Sequence, residues 1–265
     1  MTDAPSANQP PAYPAAHGLL AGKTVLVTAA AGTGIGFAVA KRATEEGATV
    51  LISDYHERRL AEAADRIAAE TGKRPAVQLC DFTQEEQVQA LREAATRTLG
   101  QIDVLINNAG LGGTADVISI TDAAWSRIID LSLTSVMRMS RAFLPLMYAR
   151  KDGAIVNNAS VVGWRAQQGQ SAYAAAKAGV MAFTRCSAIE AAVHGVRINA
   201  VAPSIAMHPF LAKVTTDELL EALTAREAFG RAAEVWEVAN AMIFLASDLS
   251  SYMTGEILSV SSQRA

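Results

Sequence analysis

The sequence has 265 residues, of which 51% are hydrophobic and 18% charged, and its formal net charge at pH 7 is −3. This length fits one large domain with a sizeable core. The balanced charge, with no cluster of Lys and Arg, excludes the basic surface of a nucleic-acid-binding protein, and no apolar stretch reaches the ~18 residues of a membrane span.

Cysteine and histidine usage indicates a reducing location and no metal. Cys80 and Cys186 are far apart and form no CxxC pattern, so no disulfide framework is expected and the cytoplasm is the predicted location. The four histidines lack the spacing of a metal site, so no metal is predicted. The N-terminus has no charged region followed by an apolar run, so no signal peptide is expected.

Residues 1–17 contain four prolines among small and polar residues and show no periodicity, which predicts a flexible N-terminal arm. From residue 18 to residue 265, short β-branched runs alternate with segments of helical periodicity. Most of these runs are apolar on successive residues, which is typical of parallel strands covered on both faces. The predicted strands are Thr24–Thr28, Thr49–Ser53, Ala76–Cys80, Val104–Asn107, Ala154–Ala159, Val196–Val201 and Glu256–Val260.

This alternation predicts the fold class. A βαβαβ series forms a doubly wound parallel sheet with right-handed crossovers. Seven strands and their helices use all of residues 18–265, so we expect a single α/β domain of Rossmann type, with helices on both faces of a seven-stranded parallel sheet. No separate substrate domain is predicted, so a substrate would bind over the carboxyl ends of the strands.

The first predicted strand leads into a glycine-containing turn, which precedes a helical segment. Glycines allow a sharp turn and let a pyrophosphate approach the amides at a helix N-terminus. The turn therefore predicts a dinucleotide site at this end of the sheet, and its sequence is Thr28-Ala-Ala-Ala-Gly32-Thr-Gly34-Ile-Gly36.

Asp54 follows the second predicted strand, 22 positions after Gly32, which is close to the roughly 20 expected of an acid that binds ribose hydroxyls. A carboxylate there would repel a 2′-phosphate, so NAD is favoured over NADP. Arg58 and Arg59 are near enough in sequence to weaken this preference. The alternative is that Asp54 is the N-cap of the next helix.

Asp81 has two interpretations at the end of the third predicted strand: it caps a turn, or it binds the adenine amino group, which we favour. Two residues later, Thr83 followed by Glu86 predicts a capping box at the start of the next helix.

Tyr173 and Lys177 lie in an alanine-rich helical segment, and their i, i+4 spacing places phenol and ammonium on one helix face. A free tyrosine has a pKa near ~10 and is a poor base at neutral pH. An adjacent cation would lower that pKa toward the working range. Ser160 comes 13 residues earlier, at the end of the fifth predicted strand, where its hydroxyl would hold a substrate oxygen.

These motifs together resemble the short-chain dehydrogenase/reductase family over about residues 20–260. The motifs that carry the resemblance are the glycine turn, Asn107-Asn108-Ala109-Gly110, Ser160 and Tyr173-x-x-x-Lys177. The resemblance implies a nicotinamide-dependent oxidoreductase that assembles as a homotetramer or homodimer. It implies that Tyr173 is the general acid/base, that Lys177 lowers its pKa and holds the nicotinamide ribose, and that Ser160 orients the substrate. The implied cofactor-binding residues are Gly32, Thr33, Gly34, Ile35, Asp54, Asp81, Phe82, Asn108, Ala109, Gly110, Tyr173, Lys177, Ile205 and Ala206.

The sequence departs from the family pattern at several positions. Ala29 stands where a glycine is usual, and the turn is one residue longer. Ser132 stands where the family often has the asparagine of a proton relay, so the relay would run through this hydroxyl, as a fourth catalytic residue, or by a different water path. The family's Pro-Gly after the sixth strand is Pro203-Ser204, and its later threonine is His208, which leaves Ile205 and Ala206 to contact the nicotinamide carboxamide.

The predicted substrate residues come from two segments, one between Ser160 and Tyr173 and one in the position of the family's mobile lid. An apolar, adaptable lid suits a bulky hydrophobic alcohol or ketone. The alternative is that the apolar lid residues only pack the lid on its own domain. The predicted substrate residues are Trp164, Gln167, Gln170, Met207 and Phe210.

A closer resemblance is to actinobacterial dehydrogenases of steroid C/D-ring breakdown, which act on CoA thioesters. It is carried by residues 28–36, 53–60, 157–167, 173–192 and 227–239. It implies that Arg165 or Lys213 meets the CoA phosphates, unless these are ordinary surface charges. A 3-oxoacyl-thioester reductase is an alternative, although Asp54 argues against its usual NADPH. A non-catalytic NAD-binding regulator is an alternative of another class, and it would be expected to lack Tyr173 or Lys177.

Overall fold

The computed structural model describes residues 9–209, 211 and 216–263. Its strands form a seven-stranded parallel sheet in the order β3-β2-β1-β4-β5-β6-β9 and a separate pair, β7-β8. The strands are β1 (Thr24–Thr28), β2 (Thr49–Asp54), β3 (Ala76–Leu79), β4 (Val104–Asn107), β5 (Gly153–Asn158), β6 (Val196–Pro203), β7 (Ala206–Met207), β8 (Ala233–Glu234) and β9 (Ile257–Val260).

Helices connect the strands and cover both faces of the sheet. A π-helical turn at Asp130–Thr134 joins the fourth helix to the fifth. The helices of the described residues are α1 (Ile35–Glu45), α2 (Glu57–Thr71), α3 (Glu85–Leu99), α4 (Asp122–Ile129), α5 (Ser135–Arg150), α6 (Ser171–Ala192), α7 (Asp217–Thr224) and α8 (Val235–Ala246).

Two hydrophobic cores lie on opposite faces of the sheet. Successive side chains of a strand point to opposite faces, and β1 follows this rule. Val27 packs in a core that includes Leu60 of α2 and Met242 of α8. Leu26 packs in a second core that includes Leu91 of α3 and Phe143 of α5. Both faces of β1 are therefore dry, which explains its unbroken apolar sequence.

The strand order reverses at β1, which lies between β2 and β4. Val27 pairs with Ile52 of β2 on one side and with Ile106 of β4 on the other. The chain leaves β1 and β4 toward different faces of the sheet, which opens a crevice at the carboxyl ends of these strands. The fold thus provides a ligand site where the glycine turn was predicted to lie.

The predicted seven-stranded sheet is confirmed, with strand ends that differ by at most two residues, as at β6, which continues to Pro203. The β7-β8 pair was not predicted. The predicted capping box is wrong: α3 begins at Glu85 and its N-cap residue, Gln84, makes no side-chain cap bond. The reason is that the Thr83 hydroxyl instead donates to Asp81 Oδ1, at 2.7 Å.

Part of the segment predicted as an arm contacts α1. The Arg42 guanidinium donates to the carbonyl oxygens of Pro14 and Ala15, each at 2.8 Å. The Tyr13 hydroxyl donates to the Glu45 carboxylate, and the amide of His17 donates to Glu46. Residues 13–17 are therefore bonded to the domain, and the division of the chain at residue 17 stays a prediction.

Within the described residues, no helix combines the length and the apolar character that crossing a bilayer requires.

Candidate active site

A cleft of about 1170 Å³ lies at the carboxyl ends of β1, β2 and β4. It contains most of the cofactor-binding residues expected from the sequence. Eight of them line its wall: Gly32, Thr33, Gly34, Ile35, Asp54, Asp81, Asn108 and Gly110.

The glycine turn brings the N-terminus of α1 to this cleft. Gly34 is the N-cap residue of α1, so free amides at the start of the helix lie beside the cleft. Gly36 has no room for a side chain, because a Cβ there would lie 2.4 Å from the Ala29 carbonyl oxygen and 2.5 Å from Asn108 Nδ2. Ala29 adopts φ 51°, a left-handed conformation that costs an L-residue about 1 kcal/mol. The family's usual glycine would meet that conformation without this cost.

Thr28 ties the glycine turn to the segment after β4. Its hydroxyl donates to the Ile106 carbonyl and accepts from the amides of Asn108 and Ala109. The Asn108 side chain in turn donates to the carbonyl oxygens of Thr28 and Ala29, at 3.3 and 3.1 Å. The two loops that flank the crevice are thus held together by a buried hydroxyl, which the sequence analysis did not single out.

Asp54 does not cap α2, whose N-cap residue is His56. Its carboxylate accepts the amides of Ala31, at 3.2 Å, and His56, at 3.1 Å. Burial raises the pKa of Asp54, against the lowering by these two bonds and by the nearby Arg59. The carboxylate thus joins the glycine turn to the end of β2 at the wall of the cleft.

Asp81 is a turn residue in the structure. Its Oδ1 accepts the amide of Thr83, at 3.0 Å, as well as the Thr83 hydroxyl. Asp81 also lines the cleft, so both interpretations of this residue agree with its position.

Six of the predicted cofactor residues are not on the cleft wall: Tyr173 and Lys177, which are described below, and four others. Phe82 and Ala109 are buried in the core that contains Leu91, because the side chains after β3 and β4 turn inward there. Ala206 begins the short strand β7, and Ile205 precedes it with its carbonyl accepting the amide of Ala233. In the described residues these four therefore contribute no side chain to the wall of the cleft.

Ser160, Tyr173 and Lys177 come together as the sequence predicts. Helix α6 carries Tyr173 and Lys177 one turn apart, with the Lys177 ammonium 5.5 Å from the centre of the Tyr173 ring. Ser160 caps the short turn after β5, and its hydroxyl is near enough to Tyr173 to lower the pKa of the phenol. Lys177 lies beside Gly110, because a Cβ on Gly110 would lie 3.2 Å from Lys177 Nζ.

Burial shifts the pKa values of the tyrosine and the lysine in opposite directions. It raises the pKa of Tyr173 to about 12, although the bond with Ser160 lowers it. It lowers the pKa of Lys177 to about 8. The prediction of a lowered phenol pKa is therefore wrong for these residues alone, since loss of water raises the pKa by more than Ser160 lowers it.

Paired asparagines connect the triad to the glycine turn. Lys177 Nζ donates to the Asn158 carbonyl at 2.6 Å, and the Asn158 side chain donates to Asn108 Oδ1 at 2.9 Å. Next to them, Asn107 pairs in register with Asn157, and their side chains are hydrogen-bonded. Asn157 and Asn158 were missed, although the repeated Asn-Asn doublet at the ends of two strands was a visible signal.

Ser132 is fully buried in the π-helical turn. Its hydroxyl accepts the amide of Leu111, at 2.8 Å, and donates to the Leu111 carbonyl, at 3.0 Å. A Cβ on Gly110 would lie 3.6 Å from Ser132 Oγ. Ser132 is thus next to the triad, but its proton is engaged by the backbone of the loop after β4.

The predicted substrate residues do not line one common cavity in the part of the chain that the structure describes. Trp164 is 48% exposed, and Gln167 lines a second, smaller cavity. Gln170 donates to the Thr114 hydroxyl at 3.0 Å, and Met207 is half-buried in β7. Phe210 and Lys213 lie outside the described residues.

His208 was named only as a departure from the family pattern, yet it lines the cleft. Its ring would lie 3.8 Å from a Cβ on Gly34, which places it over the glycine turn. Burial lowers the pKa of His208. The only sequence signal at this position was that His208 stands where the family has a threonine.

The side chains at the cleft fit a nicotinamide dinucleotide. The amides at the start of α1 suit a pyrophosphate, and the Asp54 carboxylate suits a ribose. The buried Lys177 ammonium lies next to Gly110 of the cleft wall, where it would hold a second ribose.

Comparison with known proteins finds reductases and dehydrogenases. The family model described as Enoyl-(Acyl carrier protein) reductase matches residues 29–262. A (5R,7aS)-5-hydroxy-7a-methyl-1-oxo-2,3,5,6,7,7a-hexahydro-1H-indene-carboxyl-CoA reductase from Mycobacterium tuberculosis is 62% identical over 94% of this chain and 95% of its own. A cis-4-hydroxycyclohexanecarboxylate dehydrogenase from Sinomonas cyclohexanicum is 40% identical over 89% of this chain and 94% of its own. The crystal structure of a short chain dehydrogenase from Mycobacterium smegmatis is 56% identical, covers 98% of this chain and 100% of that chain, and has a TM-score of 0.87.

A doubly wound parallel sheet with a glycine turn at its crevice and a Ser-Tyr-Lys group beside it defines an oxidoreductase that uses a nicotinamide cofactor. The family match and the relatives agree with this class. The chain belongs to the short-chain dehydrogenase/reductase family.

Proposed function

We propose that this enzyme interconverts a secondary alcohol and a ketone on a fused-ring CoA thioester derived from the C and D rings of a steroid, with NAD as cofactor. The observation that carries the chemistry is the grouping of Ser160, Tyr173 and Lys177, with Lys177 next to Gly110 of the cleft wall. The substrate class is supported by the 62% identity with the hexahydroindene-carboxyl-CoA reductase over nearly the whole of both chains.

The mechanism assigns one task to each side chain. The Ser160 hydroxyl, which is near enough to Tyr173 to lower the pKa of the phenol, holds the substrate oxygen against the phenol. In the oxidation direction Tyr173 takes the hydroxyl proton of the substrate, and in the reduction direction it donates a proton to the ketone oxygen. The nicotinamide cofactor, when bound, supplies or accepts the hydride and, in its oxidised form, a positive charge.

Lys177 supports the phenol electrostatically and holds a ribose hydroxyl. Its ammonium lies 5.5 Å from the ring of Tyr173 and is anchored on the Asn158 carbonyl. Stabilising the phenolate opposes the effect of burial on the phenol pKa. Ser132 holds the loop that carries Gly110 through both backbone groups of Leu111, so we assign it a positioning role.

The preference for NAD is supported by Asp54, whose carboxylate lies on the cleft wall at the end of β2. A negative charge at this position repels a 2′-phosphate. Arg59 also lines the cleft and lowers the pKa of Asp54, although burial has the larger effect and raises it. Arg59 is also the residue that would weaken the preference for NAD, because its cation could meet a 2′-phosphate.

The proposed assembly is a homotetramer or homodimer in the cytoplasm. Helix α6 leaves Ile189 and Val193 76% and 81% exposed near its C-terminal end, which suits a face covered by a second copy. The thiol of Cys186 is exposed and unpaired, as expected in a reducing compartment.

A substrate panel tests the proposal. We expect NAD-linked oxidation of the 5-hydroxy-methylhexahydroindanone carboxyl-CoA to exceed that of 3-hydroxyacyl-CoAs and simple secondary alcohols in kcat/KM. A higher kcat/KM for 3-oxoacyl thioesters with NADPH would instead favour the 3-oxoacyl-thioester reductase. Cofactor binding without turnover of any alcohol or ketone would favour the non-catalytic regulator.

A further inference from the structure

A second cavity, of about 330 Å³, is lined in part by residues that follow Ser160 in the chain. One wall follows Ser160 directly in the chain, so the cavity begins one residue beyond the catalytic hydroxyl. The opposite wall comes from the segment after α7 and from the end of β9. We call it the arginine cavity, and its lining residues are Val161, Val162, Arg165, Ala166, Gln167, Ala225, Arg226 and Gln263.

Two guanidinium groups supply the charge of the arginine cavity, and no carboxylate is among its lining residues. Arg165 and Arg226 are both exposed. Arg165 donates to Gln263 Oε1 at 2.6 Å, which uses one of its five N–H groups. Among the described residues neither arginine forms an ion pair. Two cations that face one small cavity without a counter-charge favour an anionic ligand.

Hydrogen bonds hold the rim of the arginine cavity together. Glu227 pairs with Gln263 in an antiparallel bridge, and its Oε2 accepts the amide and the hydroxyl of Ser262. The amide of Ala228 donates to the Ser262 carbonyl. Glu227 is only 4% exposed, and it is not among the residues that line the cavity. The segment after β9 therefore fixes Arg165 and the residues around Arg226 relative to each other.

We propose that the arginine cavity binds the phosphate groups of the CoA part of the substrate, with Arg165 and Arg226 as their ligands. This inference rests on the proposed function, which supplies a CoA thioester. Guanidinium groups bind phosphate oxygens through paired, charge-assisted hydrogen bonds. With the reacting carbon at Ser160 and Tyr173, the pantetheine chain leaves the site along residues 161–167 and carries its phosphates to this cavity.

The test compares two thioesters of one acid in the double variant Arg165→Gln/Arg226→Gln. We expect KM for the CoA thioester to rise roughly tenfold or more. The kcat, and the KM of the N-acetylcysteamine thioester, which lacks the phosphates, should remain those of the wild type. Arg97→Gln, an exposed site on α3, is the matched control and should change neither KM.

Two outcomes would overturn the inference: an unchanged KM for the CoA thioester, or an equal rise for both thioesters. If the wild type turns over neither thioester, the proposed function fails, and calorimetry then tests the cavity by itself. CoA titrated into the NAD-saturated protein should bind the wild type and lose most of its affinity for the double variant. Equal binding to both proteins would contradict the site.

Discussion

Tyr173 and Lys177 are both buried in the structure, and the loss of water shifts the pKa of each in the direction that favours its neutral form. The pKa of the phenol is raised to about 12 and that of the ammonium lowered to about 8. A positive charge on the nicotinamide ring would therefore stabilise the phenolate form of Tyr173. The hydrogen bond from Lys177 to the Asn158 carbonyl holds the Lys177 side chain in this position.

We expect Tyr173→Phe to lose turnover by a factor of about 10² to 10⁴, because the general acid/base is removed while the ring remains. Cofactor affinity in a fluorescence titration with NADH should stay within about twofold. Tyr148→Phe is the control, since Tyr148 stacks on His194 away from the triad. Turnover of Tyr173→Phe near the wild-type rate would refute the assigned base.

Lys177→Met gives a stability prediction that depends on pH. The pKa of Lys177 is lowered from 10.5 to about 8 in the folded chain. Between these values the unfolded chain binds more protons than the folded chain, so the free energy of unfolding rises with pH across this window. Relative to Lys177→Met, the wild type should gain about 3 kcal/mol between about pH 8 and about pH 10. Urea unfolding at a series of pH values measures this, and parallel curves for the two proteins would contradict it.

Gly36→Ala should reduce both stability and cofactor affinity, because its Cβ would collide with the Ala29 carbonyl and the Asn108 side chain. We expect a loss of about 1–3 kcal/mol in the free energy of unfolding and a weaker Kd for NADH. Gly112→Ala is the matched control, as a Cβ there meets nothing within 4 Å. An unchanged Kd and midpoint in Gly36→Ala would show that the turn can shift to admit a methyl group.

At the scale of elements, the last helix depends on one side chain from a strand. Arg197 of β6 donates to the carbonyl oxygens of Leu245, Ala246 and Ser247 at the end of α8. It donates also to Ser250. These carbonyls have no partner within the helix, so the guanidinium both caps α8 and fixes it against the sheet.

Arg197→Met should therefore leave the Ala246 carbonyl oxygen without its side-chain partner and remove the charge-assisted bonds to Leu245 and Ser247, which keep only bonds from Ser250. We expect the free energy of unfolding to fall by roughly 3 kcal/mol, measured by urea denaturation at neutral pH. Arg185→Met on the exposed face of α6 is the control and should change it by less than about 0.5 kcal/mol. A similar small change in both variants would contradict the capping role.

Sequence patterns predicted elements better than the bonds that join them. The strands were found because both faces of the sheet are buried, which leaves long apolar runs such as Thr24–Thr28. The π-helical turn was not predictable, since it depends on the fit of Ser132 against Leu111, which is 21 residues away. The capping box predicted at Thr83 is absent because the Thr83 hydroxyl bonds to Asp81 instead of capping α3. The triad was found because its spacing is local, whereas the roles of Thr28 and Asn158 arise from contacts across strands.

At the scale of the whole molecule, the exposed end of α6 predicts self-association. Ile189→Glu should shift the protein to a smaller assembly, because a charge in an apolar contact lacks a partner. Size-exclusion chromatography with light scattering measures the mass. The control is Val77→Glu in β3, which is the edge strand at the other end of the sheet from β9. This variant should keep the wild-type mass. An Ile189→Glu protein of unchanged mass would mean that this face is not the interface.

The position of β1 between β2 and β4 has a consequence for synthesis. Leu26 pairs with Leu51 on one side and with Leu105 on the other, so the second partner leaves the ribosome much later than the first. Until then one edge of β1 offers unpaired backbone groups beside valine and leucine side chains, a surface that other chains can join. Slow translation at low temperature, or a chaperone that covers this edge, should therefore raise the yield of folded enzyme more than any change at the active site.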